Sequence, residues 1–392
     1  MIFDLFHSIS DPVIKGRSLG VSKAFANFFD QAILAESLGV DTVWCAESHF
    51  SSETQKKTSV ATIPNFAGEV GLNSDSFQMA QLLFNRTKRV GFGTAIHNIV
   101  GGSGGPIASA ERVRFLSFLN QEVGKWNRQL RIGVAAGRFP FQNIPFQIVP
   151  RDQTEKDLWP LMKRYIFLEA LEIFLRLLSG GALSSQETKT WMIDPKEISD
   201  PNLIRKYNAP VTVKKRWEFE LLKVMPKTEE LKYLEIVLGS HDPLALEWGL
   251  KYWDLSLFNL SFTSPEKIEE LHQNMVSKCA EASRNWSRDR LPRTVMVFIN
   301  QNRDKAYQLA DHVLDNYIEA MRGTTQVPDK TVLLQRALVG DPAEICEQMK
   351  PGGLRGFHKD DRLMLWFEFN QLDNAEIQDQ MKLFFTEVVP RL

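Results

Sequence analysis

Cysteine is scarce in this chain of 392 residues. The three cysteines, Cys45, Cys279 and Cys346, lie far apart, and no two of them form a C-x-x-C pair. Three cysteines are too few for a disulfide framework in a chain of this length. The sequence therefore predicts a protein of a reducing compartment, and we expect it in the cytoplasm.

Long apolar runs and an excess of one charge are also missing. No run of about 18 apolar residues predicts a membrane span, and residues 1–7 lack the basic start and apolar core of a signal peptide. The 47 basic and 48 acidic residues give a net charge of −1. Since no basic excess exists to neutralise phosphates or anionic lipids, we expect neither a nucleic-acid partner nor a membrane partner.

Several sequence motifs that carry chemistry are absent. The chain has no G-x-x-x-x-G-K-[ST] phosphate loop and no G-x-G-x-x-G after its first predicted strand, which argues against a P-loop or a Rossmann site. No G-x-S-x-G nucleophile elbow occurs. The seven histidines lack the spacing of a metal site, so we expect no metal.

Short apolar segments alternate with longer amphipathic ones along the chain, a pattern typical of β/α units around a parallel sheet. Eight segments have the pattern of strands: 2–9, 41–46, 89–96, 130–136, 233–238, 255–260, 293–299 and 362–369. A predicted helix follows each of these strands. Eight such units favour a (β/α)₈ TIM barrel, formed by residues 1–392 as a single domain. An open doubly wound sheet is the alternative.

Local signals refine this prediction. Ser22 is the expected N-cap of a first helix that ends at Gly39. Residues 51–72 are polar and read as a loop. Residues 182–230 break the alternation, so we expect an insertion there, with a strand near 217–225. We expect the insertion, together with a loop after the seventh strand, to cover the barrel mouth.

Eight motifs, in order along nearly the whole chain, resemble one family. They lie at residues 35–44, 46–50, 89–95, 106–111, 130–137, 224–227, 340–344 and 381–390. The sequence A-E-S-H-F at 46–50 is similar to the family's A-E-H-H-F, and R-V-G-F-G-T-A at 89–95 to its R-x-x-x-G-T-A. On these residues the chain is identified as resembling the bacterial luciferase-like flavin-dependent monooxygenases.

The resemblance implies a catalytic group at the end of the second strand, formed by Glu47, Ser48 and His49. In the family the first histidine of this motif helps proton transfer, and here Ser48 replaces it. Serine does not exchange protons near neutral pH as imidazole does. His49 matches the second histidine and is expected to contact the flavin or to replace the lost group. The alternative is a structural histidine that anchors a loop.

The resemblance also places Thr94, Ala95 and Ile96 beneath the flavin ring, with a non-proline cis peptide at Ala95–Ile96. His97 follows directly and is expected to face the mouth of the pocket, unless it is an ordinary loop residue.

For the flavin phosphate, relatives use an arginine at the position of Ala136. Arg138, beside Gly137, and Arg164, expected just before the helix that carries Glu169, are the replacements we predict. Gly239 and Ser240 resemble the family's phosphate-binding turn. A surface salt bridge is the alternative for Arg138, and a plain N-cap for Ser240.

The activity implied by the resemblance is oxidation of a small organic substrate with reduced FMN and O₂. A separate flavin reductase would supply the reduced flavin, and the protein would supply a dry pocket. Two alternatives stay open: a deazaflavin-dependent hydride transfer, and a non-catalytic flavin-binding paralogue. By analogy with the family, we expect a homodimer.

Overall fold

Eight parallel strands form the centre of the computed structural model, which describes residues 1–57, 63–137, 139–227, 230–261, 263–324, 327–353 and 355–392. Each strand falls on one of the predicted segments, so the strand prediction is confirmed. The strands are β1 (Ile2–His7), β2 (Thr42–Cys45), β3 (Gly91–Asn98), β4 (Leu130–Ala135), β5 (Leu234–Leu238), β6 (Leu255–Leu257), β7 (Arg293–Ile299) and β8 (Arg362–Trp366).

The sheet closes on itself. Its strands pair in the order β6-β5-β4-β3-β2-β1-β8-β7. The two end strands then meet at a single parallel bridge between Asn259 and Arg293. At this bridge the Asn259 amide donates to the Pro292 carbonyl at 2.9 Å, and the Thr294 amide donates to the Asn259 carbonyl at 3.0 Å. The fold is therefore the predicted TIM barrel and not an open sheet. We call this joint between β6 and β7 the seam.

One main helix follows each strand. These helices are α1 (Val21–Ser37), α2 (Ser76–Phe84), α3 (Gly105–Phe118), α4 (Trp159–Leu178), α5 (Pro243–Leu250), α6 (Pro265–Glu281), α7 (Arg303–Met321) and α8 (Asn374–Leu383). Shorter helices span Ser52–Lys57, Gln153–Asp157, Pro201–Lys206, Lys330–Arg336 and Pro342–Gln348. A short strand, Leu338–Gly340, pairs with the end of β7. Among the described residues, no helix is both long and apolar enough to cross a membrane.

Polar side chains fix where several helices begin. The Asp75 carboxylate accepts the Phe77 and Gln78 amides at the start of α2, and Ser264 caps α6 as an N-cap serine should. The predicted Ser22 cap is wrong. Helix α1 begins at Val21, after Gly20 with φ +81°, and no side chain caps it. The reason lies upstream, because the Asp11 carboxylate binds the Gly20 amide and turns the chain there.

Apolar side chains fill the inside of the barrel. A buried cluster there contains Phe6, Trp44, Val237, Phe258 and Met364. The Trp44 ring lies against the backbone of Gly93, where an added Cβ would come within 2.2 Å of it, and its indole N–H donates to Asp4 at 2.8 Å. The interior is thus a packed core with an apolar upper surface, as in other barrels of this size.

The two irregular segments differ from the predictions. Residues 51–72 contain a helix, Ser52–Lys57, and a two-residue strand, Gly68–Glu69, which pairs with Asp11–Pro12. Residues 58–62 lie outside the described part. In the insertion, Met192–Ile193 pairs with Val211–Thr212.

The predicted strand near 217–225 does not form. Only an isolated bridge between Leu183 and Leu222 occurs in this region. The physical reason is competition for the backbone amides. The Glu169 carboxylate accepts the amides of Arg216 and Trp217, and the Ser185 hydroxyl accepts that of Phe219. Because these side chains take the donors of a strand ladder, the segment instead runs along α4.

Candidate active site at the barrel mouth

The predicted site residues gather where the parallel strands end. Glu47, Ser48 and His49 follow β2, His97 lies near the end of β3, and Ser240 follows β5. In a parallel barrel all carboxyl ends open onto one face, and side chains from separate strands meet there. Residues that are far apart along the chain therefore lie at the same end of the barrel.

Glu47 and His97 form a buried pair. His97 Nδ1 lies 2.7 Å from Glu47 Oε1, and His97 Nε2 lies 2.9 Å from the Ser109 hydroxyl. The side chains are 2% and 1% exposed. Burial alone would raise the pKa of Glu47, but the charge of His97, with polar contacts from both histidines and Ser76, holds this pKa well below its usual range. Glu47 is therefore ionised at neutral pH.

His97 does not face the mouth as predicted. Its ring packs against Phe77 of α2 at 5.0 Å and reaches Ser109 of α3. The partners explain this orientation, since the Glu47 carboxylate lies on the helix side of the strands, where the Ser76 amide also donates to it at 3.3 Å. His97 orients Glu47 and leaves the pocket to other residues.

His49 has a long contact with Glu47, and its buried Nε2 makes no hydrogen bond among the described residues. The nearest acceptor, Glu47 Oε1, lies 3.5 Å away, which is too long for a good hydrogen bond. A Cβ placed on Gly102 would come within 3.7 Å of this nitrogen, so the glycine leaves its approach open. An orphaned buried nitrogen beside a carboxylate is an unusual feature that calls for a ligand or a functional role.

Ser48 is held by its surroundings. Its amide donates to the Asn73 carbonyl at 2.8 Å, and the Gln55 side-chain amide lies 3.4 Å from its hydroxyl. A Cβ on Gly71 would lie 2.6 Å from Ser48 Cβ. The backbone of residue 71 therefore packs closely on the serine.

The segment 94–96 lies within β3. Thr94 is buried and donates to the Gly133 carbonyl at 3.1 Å. Ala95 and Ile96 pack against the barrel's interior cluster, and the peptide between them is cis, which confirms that prediction. The register with β4 shifts between Thr94 and His97. Ala95 and Ile96 thus add to the apolar floor of the mouth.

Gly137 leaves room for a neighbouring side chain. Its φ is +71°, and an added Cβ would lie 2.4 Å from Asn98 Nδ2. Asn98 in turn accepts the amides of Val100 and Gly101 and donates to Asn143. Gly137 therefore supports the loops at the mouth. Arg138, its predicted phosphate-binding neighbour, lies outside the described residues.

Arg164 is already paired. It lies within α4 and not before the helix, which starts earlier than predicted, at Trp159. Its Nε and Nη2 donate to the two oxygens of Asp242 at 2.6 and 2.7 Å, and its Nη1 lies 3.3 Å from Glu197 of the insertion. Burial opposes ionisation of Asp242, but the hydrogen bonds and charge of Arg164 hold the pKa of that carboxyl below its usual value.

Gly239 and Ser240 take positions consistent with the predicted turn. An added Cβ on Gly239 would lie 2.5 Å from Ile96 Cδ1, so the turn packs directly on the floor. The Ser240 hydroxyl accepts the Asp242 amide at 3.3 Å, and Asp242 itself caps α5. The plain N-cap alternative for Ser240 is therefore wrong, since its neighbour fills that role.

A cavity of about 400 Å³ opens beside Ser240 and Gly137. Its polar wall contains Lys163, Arg164, Ser240, Asp242 and Asn143. Most of the remaining wall is apolar and comes from the connection between β4 and α4: Phe139, Pro140, Ile144, Ile148, Val149, Pro150 and Trp159. We call this space the mouth cavity.

This cover differs from the one predicted. Within the described part of the insertion, no residue lines the mouth cavity. The expected covering loop after the seventh strand is also absent, because three residues separate β7 from α7. Sequence reasoning missed residues 139–150, although their dense aromatic and proline content directly after a strand end was a usable signal.

Comparison with known sequences finds a family that resembles the first part of this barrel. The sequence profile of the luciferase-like monooxygenases matches residues 2–117, from β1 to α3. This segment is therefore similar to the luciferase-like monooxygenases. The resemblance predicted from the motifs is confirmed. No curated protein matches the chain in sequence.

Solved structures share the fold of this chain. The monooxygenase RslO1 from Streptomyces bottropensis superposes with a TM-score of 0.71 at 16% identity, over 100% of this chain and 99% of that one. The oxygenating constituent of 3,6-diketocamphane monooxygenase from Pseudomonas putida, solved with FMN, has a TM-score of 0.60 at 16% identity over 100% and 98%. An F420-dependent secondary alcohol dehydrogenase has a TM-score of 0.54 at 15% identity over 100% and 98%.

Proposed function

We propose that the chain is a flavin-dependent monooxygenase that uses reduced FMN and O₂ to oxidise a small organic substrate. The observation that carries the proposal is the unbonded, buried Nε2 of His49 at the barrel mouth. It lies within the family-matched segment and beside an ionised carboxylate. A buried nitrogen kept free of structural bonds is suited to bind a cofactor or to handle a proton.

The residues at the mouth fit a flavin. The floor formed by Ala95 and Ile96 is apolar and suits a flat aromatic ring. In the mouth cavity, Ser240 offers a hydroxyl and Lys163 a positive charge that forms no ion pair within the described part of the chain. These two are the groups we propose for the phosphate, with Arg138 as a further candidate. Arg164 contributes less, because two carboxylates already bind it.

The flavin, when bound and reduced, would supply the oxygen chemistry. The chain's own tasks are then to orient it, to keep water out and to manage one proton. Residues 139–150 exclude water through their apolar side chains. The Glu47–His97 pair fixes the carboxylate beside His49, and His49 Nε2 holds or releases the proton. Ser48 serves as a hydrogen-bonding group, since its hydroxyl stays protonated at neutral pH.

A deazaflavin-dependent hydride transfer is the second candidate. Its support is the F420-dependent dehydrogenase that shares the fold. A non-catalytic flavin-binding paralogue is the third, and the paired state of Arg164 favours it. The variant Ser48→His distinguishes the third candidate: O₂-dependent turnover that appears only in the variant identifies the parent as non-catalytic, whereas loss of an existing activity shows that Ser48 belongs to a working site.

Partners follow from the same proposal. A monooxygenase that uses free reduced flavin needs a separate flavin reductase, as we propose here. We also propose a homodimer formed through α2 and α3, where Phe77, Phe115, Leu116 and Met225 line an apolar surface groove of about 550 Å³. The cytoplasm remains the proposed location, supported by three cysteines that are all free thiols.

The experiment is an anaerobic titration of the full chain with oxidised FMN, reduced FMN and deazaflavin, followed by absorbance and fluorescence. Reduced FMN that binds tightly and consumes O₂ on admission of air supports the monooxygenase. Binding of deazaflavin alone supports the hydride-transfer candidate in place of the monooxygenase. Binding of neither overturns the proposal and leaves the fold unaffected. The core variant Leu314→Met, buried on α7 away from the mouth cavity, serves as a control for general damage to the barrel.

A further inference from the structure

A second polar cavity lies at the seam, away from the mouth. It has a volume of about 20 Å³ and lies between the loop after β6 and the start of β7. Seven of its wall residues are polar or charged: Ser261, Thr263, Arg293, Thr294, Gln335, Arg336 and Arg355. The described wall contains three arginines and no aspartate or glutamate. A space of this size holds one particle about as large as a water molecule.

Arg293 is the central group of this seam cavity. Its side chain is 5% exposed, and its Nε and Nη1 have no hydrogen-bond partner within the described part of the chain. Only Nη2 is bonded, to the Arg355 carbonyl at 3.3 Å. The guanidinium lies 4.1 Å from the centre of the Phe357 ring. Burial lowers the pKa of Arg293 to about 10, so the side chain is still charged at neutral pH.

The other arginines do not relieve this charge. Arg355 Nη1 also has no partner. Burial lowers the pKa of Arg355 to about 10, again above neutral. The acidic side chain closest in its influence on Arg293 is Asp361, but Arg288 and the His358 amide already occupy its two oxygens at 2.6 and 2.9 Å. Among the described residues, neither Arg293 nor Arg355 forms an ion pair.

A hydroxyl pair completes the wall. Ser261 and Thr294 are both buried, and their hydroxyls lie 2.7 Å apart. One of the two donates to the other, and the second O–H is then free to donate into the cavity. The cavity therefore presents guanidinium N–H groups and hydroxyls, together with the side-chain amide of Gln335, around a space for one small acceptor.

We propose that the seam cavity binds a small inorganic anion, of which chloride has the size that fits. A buried guanidinium without a counter-charge is strongly destabilising. Asp361 acts on Arg293 and Glu344 on Arg355 through their charges, but neither carboxylate forms an ion pair with these arginines. A water molecule would accept hydrogen bonds from Arg293 but would add no negative charge. An anion would accept the hydrogen bonds and also add the charge.

The location gives the anion a structural role. Arg293 and Thr294 belong to β7, and Ser261 follows β6, so one anion contacts both edges that meet at the seam. The barrel closes there through only one backbone bridge. Anion binding therefore stabilises the closed barrel over the opened one, since a ligand stabilises the state to which it binds.

The test is thermal unfolding of the full chain at constant ionic strength, with chloride replacing gluconate, an anion too large for the cavity. Chloride is expected to raise the midpoint by about 2 °C and to slow hydrogen exchange of the Thr294 amide. The exposed-site variant Arg322→Gln should keep the full effect. Arg293→Met and the milder Arg355→Gln should each abolish it.

Three outcomes decide the matter. Equal midpoints in chloride and gluconate, with no bromide peak at the seam in anomalous diffraction from a bromide-soaked crystal, overturn the proposal. A chloride effect that persists in folded Arg355→Gln also overturns it. A phosphate effect in place of the chloride effect also overturns the proposal, because the cavity is too small for an oxyanion and the phosphate must then bind elsewhere. None of these readouts depends on flavin, so the result is independent of the proposed activity.

Discussion

Arg164 and Asp242 bind each other at two points, with Nε–Oδ2 and Nη2–Oδ1 distances of 2.6 and 2.7 Å. This pair ties the middle of α4 to the start of α5 at the rim of the mouth cavity. It also neutralises one of the two arginines predicted to replace the family's phosphate-binding arginine. A flavin phosphate bound as we propose would therefore compete with Asp242 for this guanidinium.

Replacing Asp242 by asparagine tests this competition. We expect Asp242→Asn to release Arg164 for a phosphate and to tighten FMN binding about tenfold, because one charge-assisted contact contributes about 1.5 kcal/mol. Asparagine caps a helix as well as aspartate does, so stability should change little. Flavin fluorescence titration measures the affinity. Asp373→Asn, at the cap of α8, is the matched control, and equal affinities in all three proteins would show that the phosphate binds elsewhere.

His49 provides the second prediction. We expect His49→Gln to reduce kcat by 10²- to 10⁴-fold, the range for loss of a proton-transfer group. The free energy of unfolding should change by less than about 1 kcal/mol, because Nε2 makes no hydrogen bond that the variant would break. Steady-state kinetics and urea unfolding give the two values.

The control for His49 is His312→Gln on exposed α7. An unchanged kcat in His49→Gln, or a large loss of stability without a loss of turnover, would assign His49 to a structural role.

Glu169 makes stability depend on pH. Burial, opposed by the Arg216 and Trp217 amides and nearby cations, raises the pKa of Glu169 to about 7. The unfolded chain has an ordinary value near 4.3. Between these values the folded state holds the extra proton, so Glu169 contributes stability that is present below about pH 4 and is lost as the pH rises to 7. The loss is roughly 3 kcal/mol.

The variant Glu169→Gln isolates this effect. The unfolding free energy of the wild type minus that of the variant should fall between pH 4 and 7 and stay level above pH 7. Urea unfolding at several pH values measures it. Glu172→Gln, one turn further along α4, is the control. A difference that rises with pH would mean that the amides of residues 216 and 217 dominate over burial.

The apolar groove between α2 and α3 predicts the assembly state. Phe115 is 51% exposed there, and an exposed aromatic beside other apolar groups is typical of an interface. We expect Phe115→Asp to convert a dimer into a monomer, as measured by light scattering after size-exclusion chromatography. Leu221→Asp in the insertion, where Leu221 is 70% exposed, should leave the dimer intact. A wild-type monomer at micromolar concentration removes the proposal.

The barrel was predictable because its signal is repeated. Each strand is an apolar segment followed by an amphipathic helix, and eight repeats of one pattern tolerate local errors. That the chain is a single domain remains a prediction. Capping at Ser22 was not predictable in the same way, since Asp11, nine residues before Gly20, decides where α1 begins. The segment 217–225 has a strand pattern, but a carboxylate from α4 takes its amides.

The site was predictable in its position and less so in its bonding. The motifs predicted Glu47 and His49 at the end of β2, which they follow directly, and residues 94–96 in the third strand, where they lie within β3. Their roles at a flavin stay predictions. The motifs gave no information on the hydrogen-bond or ion-pair partner of each side chain. His97 turned towards Glu47 and Ser109, and Arg164 towards Asp242, because contacts between distant segments outweigh local pattern. The seam cavity had no sequence signal, since its arginines lie on three separate segments.

The contact between Trp44 and Gly93 restricts how the sequence can evolve at these two positions. The two positions lie on neighbouring strands, and any side chain at 93 would occupy space that the indole ring fills. A mutation at 93 is therefore tolerated only after the residue at 44 has become smaller, and a regained tryptophan requires glycine first. In related sequences we therefore expect a smaller residue at position 44 wherever position 93 is not glycine, because the two positions can change only in that order.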